Sequence, residues 1–136
     1  MCDSKVTLQF DGASRGNPGL GASGFVFLLK KANTVIAQGG RTLPGRVTCN
    51  VAEYQGLIDG LRYARAHSMS GFLVEGDSRL ITSQARGSWK VKDTKLQPLC
   101  VEAQALLFAC KVASITWIPR AQNALADRQC NLALSK

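Results

Sequence analysis

The hydrophobic pattern changes period near residue 50, and that change limits the chain to a sheet begun by strands alone and completed by strands that alternate with helices. From Lys5 to Phe10, Val6, Leu8 and Phe10 alternate with Thr7 and Gln9, the period of a half-buried strand that ends at Asp11. The segments FVFLL (25–29) and TVIAQGGRTL (34–43) read as second and third strands. The glycine-rich stretch GASRGNPGLGASG (12–24) reads as a turn, because glycine tolerates positive φ and close backbone approach. From Val51 to His67 the spacing of Tyr54, Leu57, Ile58, Leu61 and Ala64 becomes helical. A strand (72–78), a short helix closed by Gly87 (78–87), a longer helix (96–111), a strand (113–119) and a last helix (124–134) with Asn123 at its N-cap complete the chain. Three strands joined by short turns, followed by strands that enter through helices, specify an α/β fold. The sheet is five-stranded and mixed, an antiparallel meander of three strands plus two parallel strands, flanked by helices.

At 136 residues and 46% hydrophobic content, the chain suits one core, so residues 1–136 are read as a single domain. Seventeen Lys and Arg against nine Asp and Glu give a formal net charge of +8, which suits a polyanionic partner such as nucleic acid. The five cysteines at 2, 49, 100, 110 and 130 are odd in number and form no Cys-x-x-Cys pair, which argues against a disulfide framework or a zinc site. Reduced thiols, buried or incidental, in an intracellular protein are the expectation. No apolar run approaches the roughly 20 residues that cross a bilayer, so no membrane association is expected.

In so basic a chain the few carboxylates are informative. Each of the main candidates has an ordinary reading. Asp11 can open a turn before Gly12, Asn50-x-x-Glu53 fits a capping box, Asp77 can cap the helix after it, and Asp127 suits a helix dipole. Their placement is less ordinary: two stand at the C-terminal ends of strands and two near helix N-termini. If the first and fourth strands are neighbours, Asp11 and Asp77 emerge together. Crowded carboxylates raise one another's pKa values, and a hard divalent cation with oxygen ligands relieves that conflict.

FDGASRGNPG (10–19), NVAEYQGL (50–57), EGDSRLI (75–81) and WIPRAQNALAD (117–127) resemble, in order and spacing, the four signature segments of type 1 ribonuclease H. The resemblance runs from about Lys5 to Ala133 and is nearest to the archaeal and plant-like branch. It implies an endonuclease that cuts the RNA strand of RNA/DNA hybrids, with double-stranded RNA as a second candidate substrate, and that acts as a monomer. It further implies two Mg²⁺ ions, with Mn²⁺ as a substitute, held about 4 Å apart by Asp11, Glu53, Asp77 and Asp127. Asp11 would bridge both ions, Glu53 and Asp77 would hold the first, and Asp127 the second. Cleavage would leave 5′-phosphate and 3′-hydroxyl ends.

Strand choice requires groups that sense the 2′-hydroxyl. The family pattern assigns this to the backbone of Gly12, Ala13 and Ser14 and to Asn50. Arg86, Trp89, Lys90 and Lys92, with Lys95 beside them, mix cations with an aromatic ring and are candidates for the DNA strand; the plainer reading packs Trp89 into the core. Trp117 is read as core. Two departures stand out. Cys49 replaces an Asn found in many relatives, which removes one expected nucleic-acid contact. No histidine lies in the loop before Asp127, and His67, the chain's single histidine, is read as a surface residue at a helix end.

Two other readings remain open on the sequence: a binding or scaffold module that kept the fold without catalysis, and another nuclease of the polynucleotidyl transferase superfamily. Retention of all four acids weighs against the first, and the glycine-rich turn with the segment Asn50 to Tyr54 weighs against the second.

Overall fold

A computed structural model describes residues 5–135. Cys2 and Asp3 lie outside them. The order is β1 (Val6–Gly16), β2 (Gly19–Leu29), β3 (Thr34–Val47), α1 (Cys49–Ala66), β4 (Leu73–Gly76), α2 (Arg79–Arg86), α3 (Gln97–Ala109), β5 (Ser114–Trp117) and α4 (Ala124–Leu134). A short 3-10 turn, Arg120–Gln122, precedes α4. The sheet has the order β3-β2-β1-β4-β5, with β1–β2 and β2–β3 antiparallel and β1–β4 and β4–β5 parallel. This is the five-stranded mixed sheet that the change of period predicts.

The stretch 12–24 departs from its expected role as a turn. Strands β1 and β2 continue through it, pairing from Val6↔Leu29 out to Gly16↔Gly19, so that only Asn17 and Pro18 reverse the chain. Glycines signalled a break where they instead permit packing. A Cβ on Gly12 would stand 2.1 Å from the carbonyl carbon of Ala52, and one on Gly56 would stand 2.2 Å from the carbonyl oxygen of Asp11. Both glycines therefore let α1 lie on the backbone of β1.

One sheet face packs on α1. Leu8, Phe10, Phe25 and Phe27 meet Tyr54, Leu57, Ile58 and Leu61, joined by Leu96, Cys100 and Ala103 from the α3 side. The other face takes α4 in a smaller cluster of Ala22, Cys130, Ala133 and Leu134, with Ala13 against it. The caps also differ from expectation. Thr48, not Asn50, caps α1, its side chain accepting from the Val51 amide at 3.2 Å. Ser78, not Asp77, caps α2 by accepting from the Ile81 amide at 3.2 Å. Asn123 makes no capping bond to α4. At α1 and α2 a neighbour frees the candidate side chain from helix duty.

Substituting Gly12 or Gly56 by alanine forces backbone apart rather than a flexible side chain aside. Each variant should lose about 1–3 kcal/mol in urea unfolding. Gly45→Ala, where a Cβ meets nothing within 4 Å but φ is +71°, should lose less. Equal losses at Gly45 and Gly56 would mean that the close approach contributes nothing.

Candidate active site

The pairing of β1 with β4 fixes two of the four acids. Phe10 is in register with Gly76 in the parallel ladder, so the next residues, Asp11 and Asp77, stand side by side where that ladder ends. Glu53 comes from the second turn of α1, held close by the glycine contact with Gly12, whose Cβ position lies 2.2 Å from the Glu53 amide nitrogen. Each of Asp11, Glu53 and Asp77 offers one carboxylate oxygen, and these lie within 4.8 Å of one another. Asp127 stands in the first turn of α4 and lines the same cleft of about 260 Å³, together with Gly12, Ala13, Ser14, Cys49 and Arg120.

The electrostatics record the crowding. Burial, then the charge of Asp77, pushes the Asp11 carboxyl up to about 7, with Asp127 adding to the rise. Burial, followed by the charges of Asp11 and Asp77, holds Glu53 well above the usual carboxylate range. The Cys130 thiol on α4 is raised first by burial and then by all four acids, so it stays protonated. Glu53 Oε2 is sealed from solvent and has no hydrogen-bond partner. An oxygen acceptor set among other acceptors fits a cation, and the donor set, oxygen throughout, suits a hard divalent ion.

Asn123 is the site residue that the sequence reading misassigned. Fully buried, it donates through Nδ2 to the Phe10 carbonyl at 2.9 Å and to Asp77 Oδ2 at 3.1 Å. One amide thus ties the end of β1, a site carboxylate and the start of α4. Trp117 helps from the other side: its indole Nε1 donates to the Asp77 carbonyl at 3.1 Å, and the Arg79 guanidinium lies 3.7 Å over its ring. It is half-buried rather than core. A buried Asn before a helix looks like a cap in sequence, and only the β1–β4 register exposes its other use.

The candidate nucleic-acid residues divide. Gly12, Ala13 and Ser14 line the cleft, and Asn50 is exposed on the first turn of α1. Trp89 is 51% exposed, not packed into the core, and shares a groove with Lys90, Gln97, Val101 and Gln104. Lys92 and Lys95 are exposed outside that groove lining. Arg86 turns away from it, donating to the Ile115 carbonyl at 3.1 Å and to Ser88 Oγ at 3.0 Å. His67 is exposed at the C-terminal end of α1, stacked on Tyr63 with ring centroids 3.9 Å apart. Cys100, Cys110 and Cys130 are buried and free, as expected, whereas Cys49 is exposed.

The family model described as reverse transcriptase-like matches residues 9–133. A Mycobacterium tuberculosis protein described as bifunctional is 43% identical over 130 residues, and ribonuclease HI of Halobacterium salinarum is 42% identical over 130. Each match covers 96% of this chain, but the chain spans only 35% of the mycobacterial protein and 64% of the halobacterial one. The crystal structure of the Halobacterium salinarum ribonuclease H1 superposes with a TM-score of 0.89 at 41% identity, covering 96% of this chain and 98% of that one. A ribonuclease H1 solved in complex with RNA/DNA hybrid superposes at 0.86 with 29% identity, covering 96% and 97%.

Two outcomes test the site's electrostatics. The folded chain keeps the Asp11 proton up to about pH 7, whereas the unfolded chain releases it near 3.8. Stability is therefore fully present below about pH 4 for this group and falls as pH rises through about 7, at about 1.4 kcal/mol per pH unit. In EDTA, the melting temperature should fall between about pH 4 and about pH 7 and level off above that, and Asp11→Asn should flatten that slope and melt higher than wild type at about pH 8. An unchanged slope would remove the repulsion account. Asn123→Ala should cost about 1–3 kcal/mol of stability and also weaken Mg²⁺ binding measured by calorimetry. Loss of stability with Mg²⁺ affinity intact would reduce Asn123 to a core residue.

Proposed function

This chain belongs to the type 1 ribonuclease H family, and from that premise we propose that it hydrolyses the RNA strand of RNA/DNA hybrids, leaving 5′-phosphate and 3′-hydroxyl ends. The observation that carries the reading is the trio of carboxylate oxygens within 4.8 Å, with one buried Glu53 oxygen lacking a hydrogen-bond partner, in a protein of net charge +8. A basic chain keeps such a cluster at a cost in stability, and a divalent cation offsets that cost. The acids are those of the four signature segments, and the halobacterial relative carries the name ribonuclease HI.

In this reading Asp11, Glu53, Asp77 and Asp127 hold two divalent ions, Mg²⁺ or Mn²⁺ in its place. Bound there, such ions supply a more acidic water nucleophile and offset charge on the departing oxygen. The chain's own residues orient the participants. Asn123 fixes the Asp77 carboxylate through Nδ2, and Trp117 holds the Asp77 carbonyl. Gly12, Ala13, Ser14 and Asn50 lie along the route of the RNA strand and sense its 2′-hydroxyls. Trp89 and Lys90, exposed on one groove, take the DNA strand by stacking and phosphate contact. Arg86 is left to its structural bonds. Proton transfer has no histidine to use, because His67 sits on Tyr63 at the far end of α1.

Cleavage of labelled hybrid, duplex RNA and duplex DNA, with and without EDTA, tests the reading. Hybrid should be cut in Mg²⁺ and spared in EDTA, and a hybrid left intact in either Mg²⁺ or Mn²⁺ would sink it. Asp11→Asn should fall below about 1% of wild-type turnover while still binding hybrid. His67→Ala should keep most activity, and the wild-type rate should climb with pH without an inflection near the usual histidine pKa. Asn50→Ala, freed of any capping role by Thr48, should lose discrimination for RNA with little change in melting temperature.

A further inference from the structure

Cys49 is the cleft residue that carboxylate chemistry leaves unused. It opens α1, is exposed and free, and its amide is pinned by the Asn17 side-chain carbonyl at 3.0 Å, so its position at the cleft wall is fixed from the β1–β2 hairpin. Glu53 stands four residues on, one turn along the same helix face, where Cβ atoms lie about 5–6 Å apart. Both line the cleft. The second observation is Glu53 Oε2 itself: sealed and without a hydrogen-bond partner, on a residue that lines that cleft.

We propose that Cys49 and Glu53, joined by Asp11, form a site for a thiophilic divalent ion of the zinc class, and that filling it shuts the carboxylate centre to hard ions. The inference rests on the proposed divalent-ion centre. Mg²⁺ takes oxygen ligands and gains nothing from a thiol, whereas Zn²⁺ binds thiolate and carboxylate together and outranks Mn²⁺ on nitrogen, oxygen and sulfur donors. Metal–sulfur and metal–oxygen bonds of about 2.3 and 2.1 Å at a tetrahedral angle need sulfur and oxygen about 3.5 Å apart. Cys49 lies outside the 4.8 Å carboxylate trio. Rotation of its exposed side chain toward Glu53 supplies the approach, and an ion so placed sits on the Cys49 side of the trio. As the metal–sulfur bond forms, the Sγ proton leaves to solvent. The ion then occupies oxygens of Glu53 and Asp11 that the hard ions require.

Cadmium reports such a bond directly, through the ultraviolet charge-transfer band of a cadmium–thiolate. Titrating Cd²⁺ into the metal-free chain should raise this band in wild type and leave it absent in Cys49→Ser. In Glu53→Gln the band should appear with an affinity at least about tenfold weaker, a change of about 1.4 kcal/mol. Zn²⁺ should slow iodoacetamide alkylation of Cys49, read by site-resolved mass spectrometry, at least about tenfold, and Mg²⁺ should not. The Zn²⁺ concentration that halves Mg²⁺-dependent hybrid cleavage should rise at least about tenfold in Cys49→Ser, relative to that variant's own rate. An undiminished band in Cys49→Ser, unprotected alkylation, or cadmium bound as tightly by Glu53→Gln would each overturn the shared site. Absence of hybrid cleavage in both Mg²⁺ and Mn²⁺ would instead sink the proposed function, leaving the cadmium and alkylation results to stand or fall separately.

Discussion

Backbone meets backbone where α1 crosses β1. Gly12 presses against the peptide of Ala52 and Glu53, and Gly56 against the carbonyl of Asp11. No side chain intervenes, so the separation of strand and helix is set by main-chain radii rather than by rotamers that relax. The acid on the strand and the acid on the helix inherit that fixed separation. The core beyond, from Leu8 and Phe10 to Leu57 and Leu61, then packs a helix whose position is already determined at one end.

That rigidity lets the molecule tolerate an unfavourable arrangement. Asp11 and Glu53 are both raised by burial and by neighbouring charge, and a flexible loop would let them separate. Here they are held by a parallel ladder, a helix and the amide of Asn123, none of which yields cheaply. Strain of this kind belongs where function needs it, in the sense that a site prepared for a cation must be uncomfortable without one. Cys130, buried on α4, is held protonated first by that burial and then by the charge of the four acids.

The sheet was legible in the sequence because a period of two and a period of 3.6 are hard to confuse over the lengths used here, as in Val6–Phe10 and Tyr54–Leu61. The carboxylate cluster was legible through four segments whose order no single residue conveys. Residues 12–24 misled because glycine is a signal with two meanings, reversal of the chain and close approach, and local sequence does not separate them. The caps misled for a related reason. Asn50, Asp77 and Asn123 have the chemistry to cap, but Thr48 and Ser78 lie one or two positions nearer the helix start, and Asn123 finds two better acceptors across the sheet. Hydrogen bonds that span 113 residues of sequence leave no local trace.

The strand order carries a consequence for how the molecule comes apart. β1 is central and β4 lies beside it, while β3 and β5 form the margins, and most residues of β3 are exposed. Local opening begins where few apolar groups are buried, so β3 is the segment from which amide protons exchange first, while the amides of β1 wait for global unfolding. The reactive geometry is thereby insulated from the most frequent fluctuations: the margin can fray and reseal many times while Asp11 and Asp77 keep their register.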